Sequence, residues 1–310
     1  MIKFGPSGNS ESFYNEGHKS TVEAPKWVKE RGLDIYEYSF GKGVLMGENT
    51  AKLIGAEAQK YGVEITAHAP YFINFANPDD EKGEKNGFNY LLDSMRILGF
   101  MGGNRVVFHS GTETKQKREV ALENIIKRLT IFKDVKKSEG YENFIICPET
   151  MGKFAQIGDL DEIIRISNID ESYYPCIDFG HLNARSLGGL KTYEDYENVI
   201  KKLLNGVGRE KTENMHVHFS KIMFSGKGEV KHLTFDDDVY GPEFPPLAKV
   251  FFDYKLTPYA GGRRKNDERR VFSACLTCLL RPKRFTKYKI LCYNIRYEKL
   301  ECDFQKVQRR

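Results

Sequence analysis

Short apolar runs and longer segments of helical spacing alternate along this chain. The apolar runs are Ile2-Lys3-Phe4-Gly5, Leu33 to Tyr38, Val63 to His68, Arg105 to His109, Phe144 to Glu149, Tyr174 to Asp178 and Met215 to Phe219. Each is strand-length, and several are rich in β-branched or aromatic residues. Between them, helical spacing predicts helices over Thr21–Gly32, Asn49–Tyr61, Gly87–Met101, Lys115–Glu139, Leu160–Ile166 and Tyr193–Asn205. In the second of these, Ala51, Leu53, Ile54 and Ala58 are expected on one side. Strands alternating with helices imply a parallel sheet.

Candidate chemistry sharpens that picture. His68, His109, Glu149 and Asp178 end four of the runs; His181 follows shortly after one, and His216 and His218 lie within another. Side chains at strand C-termini converge at the mouth of a (β/α)8 TIM barrel. That is the expected fold, with an aberrant eighth βα unit; an open doubly wound sheet is the alternative. Imidazoles and carboxylates gathered at one mouth are costly without cations, so a metal site is expected. Such donors suit zinc, with manganese and iron as alternatives.

The eighth unit breaks the pattern. Phe251 to Pro258 reads as a helix end leading into a strand, but Tyr259-Ala260-Gly261-Gly262-Arg263-Arg264 does not continue it. Composition shifts there too. From Thr257 the chain carries 15 basic and 5 acidic residues, leaving 33 and 38 in the remainder. Nine of the 17 arginines and four of the six cysteines lie in that tail. The reading is a barrel over residues 1–258 and an atypical basic tail over 259–310, consistent with a change of reading frame. Cys275-Leu276-Thr277-Cys278 is a single CxxC and lacks the second pair of a zinc ribbon. The basic tail as a nucleic-acid arm is the weaker reading of its charge.

Other bulk features narrow the class. No run of about 18 apolar residues predicts a membrane span. The first residues lack a signal-peptide core, and only Cys147 and Cys176 precede the tail. These features predict a reduced, cytoplasmic protein.

The motifs together resemble the endonuclease IV family of apurinic/apyrimidinic endonucleases. The matching stretches are His68-Ala69-Pro70-Tyr71-Phe72-Ile73-Asn74, Val107-Phe108-His109-Ser110-Gly111, Pro148-Glu149-Thr150-Met151-Gly152-Lys153, Ile177-Asp178-Phe179-Gly180-His181 and His216-Val217-His218-Phe219-Ser220-Lys221. The resemblance covers residues 1–258. It implies a barrel with up to three zinc ions that cuts DNA 5′ to an abasic site, leaving a 3′-hydroxyl. It places a first metal on His68, His109 and Glu149, a second on Glu149, Asp178 and His216, and a third on His181 and His232. Glu149, bridging, is the catalytic candidate, since it can also orient the nucleophile. Tyr71 and Asn74 follow the first ligand and are candidates for DNA contact. The implied partner is DNA containing abasic sites, bound by a monomer.

The chain departs from the family pattern in two places. Val230 stands where an aspartate is expected, with Glu229 adjacent as a substitute, and the glutamate expected at the end of the eighth strand is missing. His218 competes with His216: the Ser-Lys pair selects His216, whereas position along the strand favours His218. His18 reads as a surface residue. Loss of the eighth-strand glutamate predicts a weakened second metal position and impaired activity; two other functional classes stay open, a divalent-metal sugar isomerase or epimerase and a catalytically dead barrel.

Overall fold

The structure is a computed structural model that describes residues 3–233, 235, 237–256 and the backbone of 290–292. The remainder of the tail, with Cys275, Cys278 and Cys302, lies outside the described residues. Seven strands carry the architecture: β1 (Phe4–Pro6), β2 (Ile35–Ser39), β3 (Glu64–His68), β4 (Arg105–Phe108), β5 (Ile145–Pro148), β6 (Cys176–Asp178) and β7 (His216–Phe219). β2 to β5 form a continuous parallel ladder, with Ile35 opposite Glu64 and Arg105 opposite Ile145. A parallel bridge from Ser7 to Glu37 joins β1 to β2, and bridges Ile146–Tyr173 and Glu149–Cys176 join β5 to β6. β6 and β7 are again parallel.

The eighth position is filled from an unexpected place. Ile290–Cys292 pairs antiparallel with both β1 and β7. The cycle of pairing is therefore complete, but its last member runs against the others. Phe244–Asp253, just before the tail, is a helix with proline in its first turn, where a missing N–H costs nothing.

The intervening helices are Ala24–Glu30, Glu48–Tyr61, Asn86–Phe100, Arg118–Ser138, Leu160–Ser167 and Tyr193–Glu213. Helix Glu48–Tyr61 buries Ala51, Ile54 and Ala58, but Leu53 is exposed. At about 100° per residue Leu53 lies on the far side of the helix from Ala51. The last helix runs past Asn205 through a non-helical Gly208 (φ 80°). Among the described residues, no helix is long and apolar enough to cross a membrane.

Two elements absent from the pattern reading shape the mouth. Helix Phe179–Arg185 follows β6 directly, because the Asp178 carboxylate accepts from the His181 N–H at 2.9 Å and caps it. A hairpin, Lys221–Ser225 with Gly228–Leu233, follows β7. It docks through the Glu229 N–H to the Gly152 carbonyl at 3.1 Å and a bridge from Lys153 to Gly228. Gly228 sits at φ 89°, and a Cβ there would lie 2.2 Å from the Gly152 carbonyl oxygen, so only glycine permits this approach.

Candidate metal centre

Alternation along each strand sets the depth of every inward side chain. Val107, Cys147 and Cys176, two positions before His109, Glu149 and Asp178, pack as a small buried cluster of their own. The donors sit above that floor, at the strand ends. Three groupings at the mouth have donor atoms within 4.8 Å of one another: His68–His109–Glu149, Glu149–Asp178–His218 and His181–Glu229–His232. The structure thus brings together His68, His109, Glu149, Asp178, His181 and His232.

Glu149 is the centre of the arrangement. It is fully buried, and its two oxygens face different groups. Oε2 lies 3.0 Å from His68 Nε2 and 2.9 Å from His109 Nε2. Oε1 lies 2.6 Å from His218 Nδ1 and 3.7 Å from His181 Nδ1.

His218, not His216, meets Glu149 and Asp178. Strand register gives the reason. Asp178 pairs with His218 at the C-terminal ends of β6 and β7, whereas His216 pairs with Cys176 one step deeper. The structure therefore places His218, and not the expected His216, beside Glu149 and Asp178. The Nε2 of His216 instead lies 3.0 Å from Glu37, and with Cys176 and His218 this residue forms a deeper, fully buried grouping. Glu37 is the residue that the sequence reading missed. Its signal was a lone carboxylate inside an apolar strand, on the face shared with Ile35 and Ser39.

Electrostatics follow from burial. Burial opposes ionisation of Glu37, but the imidazoles of His218 and His216 hold its carboxyl well below the ordinary range. Burial pushes His216 down to about 3, so it is neutral near pH 7. Burial raises both thiols, Cys147 to about 11, and keeps them protonated.

The donor set fits divalent cations. His68 Nδ1 lies 2.8 Å from the Ala69 carbonyl, which fixes its proton there and turns the Nε2 lone pair toward Glu149. His181 Nδ1 is held by the Thr150 carbonyl at 2.8 Å, leaving Nε2 toward Glu229 at 3.4 Å. A lone pair facing a carboxylate oxygen is repulsive unless a cation lies between them. Glu229 lies 3.4 Å from His181 Nε2 and 3.6 Å from His232 Nε2, whereas Val230, at the position where an aspartate was expected, is half exposed.

The other candidates divide. The Tyr71 ring is exposed at the rim and stacks on His109, with centroids 5.4 Å apart. Asn74 is committed to its own loops, accepting from the Thr112 N–H at 3.0 Å and reaching Thr114 Oγ1 at 3.3 Å. His18 is stacked on Phe13 and paired with Glu23 at 2.7 Å, so it is not a bare surface residue.

Histidines and carboxylates gathered at the mouth of an α/β barrel with seven parallel strands form candidate metal-binding groups. The family described as xylose isomerase-like TIM barrel (AP endonuclease 2) matches residues 25–254, and the chain belongs to it. An uncharacterized protein of Methanocaldococcus jannaschii is 32% identical over 240 residues, 76% of this chain and 83% of that protein. A probable endonuclease 4 of Staphylococcus carnosus is 30% identical over 228 residues, covering 68% and 73% of the two chains. Among solved structures, a D-tagatose 3-epimerase-like protein aligns with TM-score 0.62 at 19% identity, covering 89% of this chain and 97% of that one. Endonuclease IV from Thermus thermophilus aligns with TM-score 0.55 at 18% identity, covering 82% and 91%. These structural likenesses establish the fold, and the barrel replaces the open-sheet alternative.

Proposed function

We propose that this chain is a zinc-dependent endonuclease that hydrolyses the DNA phosphodiester 5′ to an abasic site. The observation that carries this reading is the division of Glu149, whose two oxygens each face a separate donor group. One carboxylate shared between adjacent cation positions suits phosphodiester cleavage. When bound, the cations would acidify a water and neutralise the departing oxygen.

The remaining work falls to side chains. His68, His109 and Glu149 would hold the first cation; Glu149, Asp178 and His218 the second; His181, Glu229 and His232 the third. Glu149 would also help to orient the attacking water. The loop after β3 presents Tyr71 and Phe72 to solvent beside His109. Exposed aromatic faces at a rim suit unstacked bases better than a small sugar, which needs an enclosed pocket.

The test is incision of an abasic-site duplex by purified protein with zinc, run beside a panel of ketoses. Incision abolished by EDTA is expected. Ketose turnover without incision would replace the nuclease with an epimerase or isomerase. Neither activity, with no bound metal by elemental analysis, would mark a dead barrel.

A further inference from the structure

Glu37 belongs to none of the three donor groups, yet it is fully buried at the heart of the barrel. Its carboxylate lies 3.1 Å from His218 Nε2 and 3.0 Å from His216 Nε2, and Ser7 Oγ donates to it as well. The other nitrogen of His218 faces Glu149 at 2.6 Å. The His218 ring is therefore held between two carboxylates, one on each nitrogen.

A neutral imidazole carries a single N–H. If that proton sits on Nε2, it donates to Glu37 and leaves the Nδ1 lone pair among Glu149 and Asp178. If it sits on Nδ1, the ring cannot ligate there at all. Resting on the metal reading above, we propose that Glu37 is a positioning residue that locks His218 in the Nε2–H tautomer and aims Nδ1 at the second cation. Its reach links β2 to β7 past β1 and the closing segment Ile290–Cys292. His216, whose Nε2 lies 3.0 Å from the same carboxylate, packs beside Glu37 and is assigned no ligand role.

Outer carboxylates that accept from a ligating histidine typically alter metal affinity about 10- to 100-fold. The experiment is a zinc titration of full-length wild type and Glu37→Gln against a competing chelator. Nitrogen-15 NMR of the histidine rings is recorded on both proteins. Cobalt substitution adds an absorption readout of the ligand field.

In the wild type, His218 is expected to show a protonated Nε2 and a metal-bound Nδ1. In Glu37→Gln, one zinc equivalent should weaken about 10- to 100-fold, with an altered cobalt spectrum and the His181–Glu229–His232 position unchanged. Glu37→Asp should recover part of the affinity. Wild type that binds zinc, with a folded Glu37→Gln of equal affinity, overturns the proposal and leaves the metal reading standing. Wild type that binds no zinc removes both. If Glu37→Gln does not fold, the wild-type spectrum alone decides: a zinc-loaded His218 protonated at Nδ1 overturns the proposal.

Discussion

The first and third donor groups are built differently. His68, His109 and Glu149 end or follow β3, β4 and β5, neighbouring strands of one parallel ladder, so register and core packing fix their spacing. His181, Glu229 and His232 come from a seven-residue helix and a hairpin. His232 is 36% exposed, whereas Glu149 is fully buried. Donors on strand ends inherit the stability of the barrel, and donors on an added hairpin inherit that of a few hydrogen bonds. Local opening should reach the third group long before the first.

The largest test of that contrast is Glu149→Gln. It removes the charge shared by two groups, so zinc should leave both while the hairpin position keeps its ion. Incision should fall by more than about 100-fold, beyond the usual cost of losing an outer partner. Elemental analysis beside the incision assay measures both, and an unchanged zinc content would break the contrast.

Next in size is Arg128→Ala. This buried guanidinium donates to the Asn77 and Phe75 carbonyls and to Asp80 at 2.7 Å, and so ties down the loop after β3. Stranding those carbonyls should cost about 2–4 kcal/mol, read as a lower melting temperature. A melting temperature like that of wild type would show that the loop does not depend on this anchor.

Gly228→Ala should cost less, about 1–3 kcal/mol, because the hairpin can lift away from the Gly152 carbonyl. It should release one zinc equivalent and spare the strand-end group. Loss from the strand-end group instead would reverse the ranking.

The smallest effect lies away from the mouth and serves as a control. His18 and the Ser20 and Lys19 N–H groups hold the Glu23 carboxyl down at about 2. Because the folded value lies below the unfolded one, this capping contact supports the fold above about pH 4.5 and is lost as pH falls toward 2. An NMR titration of Glu23 with a midpoint near the ordinary carboxylate value would refute it, and zinc content should not follow this titration.

Much of the barrel was legible because strand period and helix period differ so sharply. The runs ending in His68, His109 and Glu149 announce both a strand and a donor at its tip. His216 against His218 was not legible in the same way. Both face the same side of one strand, and only pairing with β6 shows that His218 stands beside Asp178. Glu37 escaped because a single carboxylate in an apolar run carries no partner in local sequence; His218 is 181 positions away. The closing segment escaped for a similar reason, since its mates are β1 and β7, near the far ends of the fold.

The reversed polarity of Ile290–Cys292 has a consequence for self-association. Among the described residues, this three-residue piece is what separates the margins of β1 and β7. Were it to peel off, two rows of amide and carbonyl groups would lie bare, each a template for an extended peptide from a neighbouring molecule. Clumping of this protein under mild stress should therefore begin at that junction, while the ladder of β2 to β5 that carries His68, His109 and Glu149 is still intact.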